Sequence, residues 1–488
     1  LNVTNGIFIR NGFDHAGTAT RGGMVTAKDA AVVHLTNCRV TGGAGGPGTT
    51  SVYGGALHGD DQAKLIMSAC TIADYSAERG GGLAAFGNCS VHAKNCIWRN
   101  LTAERFGGGV FLASEAHSTW RGGKFVDTHA VNGGAITVNS GTLELVGTDF
   151  VNATASVGGG AMYIEQAAAV ILINCRCSSC SSDSDGGALQ IHGNAHATLS
   201  GCNITNCTAA GAGGAMVASG TAAVNMQWCK LQHNTAQTFG GAVALHDSVI
   251  MRAKYSSFLG NVCAKKGGGL WADATSEFHL GYCAVAKNKA TMGGGLYLFE
   301  NATLGLGSIS IVDNIANSSG GGVVLGSSRF PLAALRAAVR NNKAPMDADI
   351  SALPVALTMH NSSAVHGFVS RVRSDEGLWN ATMLVSGHQG LPSAGVTVVA
   401  RLDGAQLTQN TSGEDGLLDL HMKLRKPPGE PGPASAVLRI FSILTWQLDE
   451  AHTLLGQYLN IRACVICYFG TERSHSVIQH LSSGKSAE

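Results

Sequence analysis

A few short groups of residues in this 488-residue chain carry side chains suited to bond-breaking or metal binding. Cleaving a polyuronate calls for paired carboxylates, or for a Ca²⁺ site beside a basic residue. Asp60-Asp61, following His58, is the only adjacent acidic pair in the regular part of the chain, and it falls in a turn after a strand. Asp183-x-Asp185 precedes a Gly pair and reads first as a turn, with weak Ca²⁺ binding as the alternative. His192 and His246 share a phase two repeats apart, and Arg121, Lys124 and Asp127 read as a solvated face. No Ser-His-Asp order, phosphate loop or dinucleotide fingerprint is present. No Cys pair is matched by a second pair or by His at zinc spacing, so neither metal nor cofactor is expected. On these residues the chain is not expected to be an enzyme. A secreted polysaccharide lyase or glycoside hydrolase is the alternative.

Eleven Asn-x-Ser/Thr sequons occur, at Asn2, Asn88, Asn100, Asn152, Asn203, Asn206, Asn301, Asn317, Asn361, Asn380 and Asn410. They are glycosylation candidates on a eukaryotic secretory route. Equally, Asn, Ser and Thr are what β-turns select. The 33 Lys and Arg residues nearly balance the 32 Asp and Glu, without a basic run, which disfavours nucleic acid and anionic membranes as partners. No run of 18 apolar residues suggests a spanning helix. Leu1 to Arg10 reads as a strand and not a signal peptide, so the expectation is a fragment, with any membrane anchor outside it.

What positions these residues is a repeat. The chain holds 66 Gly against 9 Pro, and its 45% hydrophobic content suffices for a long core, so the glycines need a positional role. Gly pairs begin at Gly22, Gly54, Gly81, Gly108, Gly133, Gly159, Gly186, Gly213, Gly240, Gly268, Gly294 and Gly321, mostly 25–28 residues apart. Residues 42–48 read as a loop insertion in the longer first step, and Gly122-Gly123 falls out of phase. Each unit continues with a small residue and alternating apolar positions, as in Gly133-Gly134-Ala135-Ile136-Thr137-Val138. A second strand such as Ala169–Ile173 follows, then a third from a Cys to an Asn, as in Cys202–Asn206.

Three short strands and three turns account for about 27 residues, which predicts a right-handed parallel β-helix of about 12 coils over residues 1–360. Adjacent glycines and period-two alternation exclude a helical repeat, and the regular leucines of a leucine-rich repeat are missing. Coils stacked at about 4.8 Å make a rod some 60 Å long, expected to be monomeric. Asn234, Asn261, Asn288 and Asn314 share a phase and predict an Asn ladder at a bend. Cys70, Cys96, Cys175, Cys202, Cys229 and Cys283 form one column, and Cys180 and Cys207 a second. Coil-to-coil disulfides are within reach, but parallel stacked side chains seldom reach the disulfide dihedral, which favours buried thiols.

The Gly-Gly-Ala-Leu/Ile/Val motifs at Gly54, Gly133, Gly186 and Gly240, together with Phe258-Leu259-Gly260-Asn261, resemble the repeats of the polymorphic outer-membrane proteins. More broadly the chain is similar to the pectin-lyase-like superfamily. The resemblance implies an extracellular or cell-surface solenoid with adhesion as the common role, and carbohydrate or matrix components as partners.

Beyond the solenoid, Pro392–Val398 with Asp415-Gly416 resembles immunoglobulin-like surface modules, implying a small β-sandwich over 361–455. Residues 340–359 read as a degenerate closing coil. The stretch Gly456–Gly470 is similar to the start of a cysteine-rich ephrin-receptor-like module, placed over 456–488 with a disordered tail.

Overall fold

The structure is a computed structural model. It describes residues 1–9, 23–42, 51–325, 338–345 and 347–352, and beyond these the backbone strands Pro354–Met359, Leu378–Gly387, Thr397–Leu402, Ala405–Thr411, Leu417–Lys423, Ala436–Ile443 and Val465–Cys467. The chain divides into two compact units, Leu1–Ile350 and Ser351–Glu488.

The first unit is a parallel β-solenoid of about eleven turns, close to the expected twelve. Sheet one has twelve strands, mostly of five residues, from Asn2–Thr4 to Thr303–Leu306. Sheet two collects the segments between the Cys column and the Gly corner. Sheet three begins at Val25–Ala27 and contains thirteen strands. Each strand pairs in parallel with its equivalent one coil later, as when Ala169–Ile173 meets His196–Ser200 residue for residue.

One coil shows the construction. Leu189–Ile191 lies in sheet three and His196–Ser200 in sheet one; Asn203–Thr205 and Thr208–Ala209 form two segments of sheet two. The breaks fall at Gly193, Gly201, Asn206 and then Gly213, all with positive φ, between 54° and 74°. A coil therefore has four left-handed corners where three turns were expected. The extra one lies inside the third predicted strand, because Asn tolerates the left-handed region locally.

The glycine corner departs from expectation in phase. The left-handed residue is Gly54, Gly80, Gly107, Gly133, Gly159, Gly186, Gly213, Gly240, Gly267, Gly293 or Gly320, in steps of 26 or 27 only. In triplets such as Gly80-Gly81-Gly82 the corner is the first glycine, not the second. The two glycines serve different ends. Gly186 supplies φ +65°. At Gly187, a Cβ would lie 2.1 Å from the carbonyl oxygen of Gly214 on the next rung, so no side chain fits. The following position is a buried Ala, as at Ala188, or a third Gly crowded by an aromatic, as by Trp98 at Gly82, or by a ladder amide, as by Asn288 at Gly269.

The out-of-phase pair also finds its place. Gly122 is left-handed at the corner held by Asn95 and Asn174 in other coils, and Gly123 stands in the first Cys column: Lys124 N–H donates to the Cys96 carbonyl, and Asp149 N–H to that of Gly123.

Inside, sheet two contributes a continuous stack. Trp98, Phe125 and Phe150 are fully buried on successive rungs, with Phe125 and Phe150 ring centroids 5.2 Å apart at 5°. The Phe258-x-Gly260-Asn261 motif becomes a core Phe, a left-handed Gly and a buried Asn. The predicted Asn ladder is present, and Asn342 and Asp349 extend it. Each Asn donates from Nδ2 to a carbonyl one rung back, Asn261 to Leu231 at 3.0 Å, and accepts on Oδ1 from the preceding rung. The ladder ends on Asp349, which accepts from Asn342 N and Nδ2.

The second unit contains two antiparallel sheets, one of Pro354–Met359, Leu378–Gly387 and Leu417–Lys423, the other of four strands. Pro354–Met359, expected in the closing coil, instead pairs antiparallel with Leu378–Gly387. Val465–Cys467, assigned by sequence to the cysteine-rich module, pairs with Ala436–Ile443. In both cases a distant antiparallel partner claims the backbone groups. The linking segments, including Asn361, Pro392–Val396 and Asp415-Gly416, lie outside the described residues, as do the side chains of Asn380 and Asn410.

Candidate ligand-binding surface

The carboxylates singled out by sequence do not converge. Asp61 is a left-handed turn residue whose N–H donates to Asp60 Oδ1, and Asp60 lies 3.8 Å from His58 Nε2. The Asp185 carboxylate accepts from Ala212 N–H at 2.7 Å, a backbone cap on the next coil. Arg121 faces Glu144 at 3.7 Å, and Asp127 accepts from Asn152 Nδ2 at 2.6 Å. Among the described residues no three His, Cys, Asp or Glu are placed to hold a metal ion.

His192 and His246 do share a column, and it contains more than the two. At the edge of sheet three, Asn139, Glu165, His192, Ser219, His246 and Asp273 occupy one phase on successive coils. Asn139 Nδ2 donates to Glu165, His192 Nδ1 meets Ser219 Oγ at 2.8 Å, and His246 Nδ1 meets Asp273 Oδ2 at 3.3 Å. The lower part is walled by rings. Trp271 stacks on Phe239 at 4.5 Å and tilts against His246 at 4.7 Å, while Lys266 Nζ lies 5.2 Å from the Tyr297 ring centroid. Burial, with the neighbouring Lys265 adding to it, holds the Lys266 ammonium below its usual range.

The cysteines are free and buried throughout the described solenoid. Each column thiol points at carbonyls: Cys175 Sγ lies 3.5 Å from Leu145 O, Cys202 3.4 Å from Leu172 O and Cys283 3.4 Å from Ala253 O. Cys38 joins the column, and Ser256 replaces a thiol in it, accepting from Cys229 N–H at 3.1 Å. The hydrogen bond from Cys96 draws the Cys70 thiol down to about 6, and the same contact pushes Cys96 upward.

Seven sequon residues are exposed, namely Asn2, Asn88, Asn100, Asn152, Asn206, Asn301 and Asn317, whereas Asn203 is half-buried. Asn100, Asn152 and Asn206 share the left-handed corner ahead of the Asn ladder, with φ of 50–54°. Backbone conformation thus accounts for part of the sequon surplus.

One group was missed. The corner before the Cys column is left-handed on successive coils at Asn5, Asn37, Ala69, Asn95, Gly122, Gly147, Asn174 and Gly201. On the next three coils the same corner carries Trp228, Tyr255 and Tyr282, at φ of 57°, 51° and 53°. These rings are 58%, 41% and 62% exposed. They stack face to face, Trp228 on Tyr255 at 4.3 Å and 8°, Tyr255 on Tyr282 at 5.0 Å and 9°. Beside them, sheet one exposes Asn225, Gln227, Arg252 and Lys254, and sheet two exposes Lys230.

Stability alone does not explain the stack. A left-handed non-Gly residue costs roughly 1–2 kcal/mol, and bulky residues are outliers there. Two aromatic pairs return about 0.5–1.5 kcal/mol each. Three strained positions against two contacts leave no gain over the Asn and Gly of the preceding rungs. Strain of this kind at bulky, exposed rings motivates a functional hypothesis. The signal in sequence was the spacing: the three aromatics are 27 residues apart, each directly before Cys229, Ser256 or Cys283.

A family model described as right handed beta helix region matches residues 148–344. The solenoid is a right-handed parallel β-helix. The matched coils of this β-helix contain the aromatic stack and most of the polar column. No curated protein and no solved structure matches the chain.

Proposed function

We propose that this protein is a non-enzymatic extracellular or cell-surface scaffold that binds glycans along the β-helix, with Trp228, Tyr255 and Tyr282 as its principal contact. The observation that carries this reading is the exposed stack at left-handed positions, repeating at the spacing of the rungs. Apolar sugar faces pack on aromatic rings, and their hydroxyls need the amides and cations that flank them, here Asn225, Gln227, Arg252, Lys254 and Lys230. Exposed sequons and the two antiparallel sheets of the second unit, which fit an immunoglobulin-like sandwich, support a secreted modular protein. The resemblance to outer-membrane repeat proteins points the same way, toward adhesion, with membrane attachment residing in segments other than those described.

A glycan array probed with the wild type and with the Trp228→Ala/Tyr255→Ala/Tyr282→Ala variant tests this. Binding that disappears in the triple variant supports the proposal; equal binding by both overturns it.

A second reading, a carbohydrate-active enzyme, is favoured by one observation, the polar column from Glu165 to Asp273. Its carboxylates are engaged, however: Glu165 by Asn139, and Asp273 by His246 and by the N–H of Asp247. Release of reducing ends or unsaturated products from polygalacturonate by the wild type, lost in His246→Ala, would establish this reading in place of the first.

A further inference from the structure

The aromatic stack has one free face whose surroundings define a smaller site. Trp228 contacts Tyr255 on one side. On the other side, the same corner one rung earlier is Gly201, which has no side chain, and the corner before that is Asn174. A Cβ added to Gly201 would lie 2.2 Å from Asn174 Oδ1, so the Asn174 amide leans over the glycine. From Asn174 to Trp228 is two rungs, about 9–10 Å. The outer part of the missing rung is therefore a gap about one ring thick, floored by an indole face and edged by a primary amide.

We propose that this gap is a socket for a single hexopyranose residue, the non-reducing end of a bound glycan, which continues the stack as its fourth ring. The proposal rests on the glycan-binding reading and assigns where the terminal sugar sits. The indole face is apolar and exposed, and its neighbours in the stack show the ring spacing that this corner produces. Gly201 contributes no side chain to the rung above, where only the Asn174 amide meets the position its Cβ would take. The Asn174 amide supplies one donor and one acceptor, matching the hydroxyl rim of a pyranose, whereas a wholly apolar ring would leave that amide unpaired. At the far end, the rung beyond Tyr282 carries Ser308 in place of a glycine beneath an amide, and Tyr282→Ala serves as the comparison.

The test uses the full chain and methyl glycosides of glucose, galactose, mannose and N-acetylglucosamine, followed by tryptophan fluorescence and calorimetric titration. At least one glycoside is expected to bind the wild type. Trp228→Ala should weaken it tenfold or more, and Tyr282→Ala less than threefold. The decisive variant is Gly201→Tyr with Asn174→Gly, which fills the rung with a ring the backbone already accepts at Tyr255. It should lose binding tenfold or more with an unchanged circular dichroism spectrum. Should the double variant fail to fold, Gly201→Asn, which places the residue type found at Asn95 and Asn174, is expected to weaken binding threefold or more. If the filled variants bind as well as wild type while the triple aromatic variant is inactive on the array, glycans use the ring edges and the socket is overturned. If the triple variant still binds glycans, the underlying reading fails instead. Binding of oligosaccharides but of no methyl glycoside likewise overturns the socket alone.

Discussion

Asn261 Oδ1 accepts both the backbone N–H of Asn234, at 2.9 Å, and its side-chain amide, at 3.0 Å. One buried oxygen thus serves two donors of the preceding coil, while Asn261 Nδ2 reaches back to the Leu231 carbonyl. Removing the side chain leaves the Asn234 N–H without its partner, takes one of two acceptors from the Asn234 amide and removes a donor from the Leu231 carbonyl. At about 1–3 kcal/mol for the orphaned donor and about 0.5–1.5 kcal/mol for each of the other lost bonds, Asn261→Ala should destabilise the solenoid by roughly 2–5 kcal/mol. Asn261→Asp keeps the acceptor and loses the donor, and should cost less at neutral pH. Urea melts followed by circular dichroism measure both; a loss under about 1 kcal/mol for Asn261→Ala would refute the argument.

The glycine corner makes a graded prediction. Gly187→Ala drives a Cβ to 2.1 Å from a backbone oxygen that has nowhere to move, and should cost about 3 kcal/mol or more. Gly193→Ala, left-handed but with its nearest neighbour at 3.4 Å, should cost only about 1–2 kcal/mol. Comparing the two thermal midpoints separates crowding between coils from conformational strain.

Tyr255→Asn places at the aromatic corner the residue that other coils use there. Strain relief and lost stacking should nearly cancel, leaving stability within about 1 kcal/mol of wild type. Glycan binding should nevertheless fall, because the stack is interrupted. A change confined to stability, with binding intact, would show the rings to be structural.

Alkaline pH should weaken the fold. Burial, aided by the nearby Asp60 charge, raises the Cys89 thiol to about 12, and burial raises Cys263 to about 11, from an ordinary 9.0. The folded state holds these protons more tightly than the unfolded chain. Their contribution is therefore complete below about pH 9 and is lost as pH climbs toward 11–12. The melting temperature should drop through that window, and less steeply in Cys89→Ala.

The buried thiols can be counted. The twelve described cysteines are free and buried, so a thiol reagent should leave them unmodified in the native protein and react with them in denaturant without prior reduction. Masses showing paired cysteines after alkylation in denaturant would contradict the carbonyl-bonded columns.

Much of this protein was legible in its sequence because a parallel coil turns neighbours in space into residues one period apart. Asn234, Asn261, Asn288 and Asn314 could be aligned by subtraction, and so could Cys175, Cys202 and Cys229. Local conformation also left its trace: many left-handed corners carry Gly, Asn or Asp. What tertiary structure alone decided was phase, exposure and distant pairing. In Gly80-Gly81-Gly82 three identical residues differ only by which one faces a carbonyl of the next rung. Trp228, Tyr255 and Tyr282 carried the right spacing, but only the coordinates place bulky rings outside, on a backbone where they are strained. Pro354–Met359 alternates like a coil strand, yet its hydrogen bonds go to an antiparallel partner that no local pattern names, because strand pairing is settled by which free edge the folded chain presents.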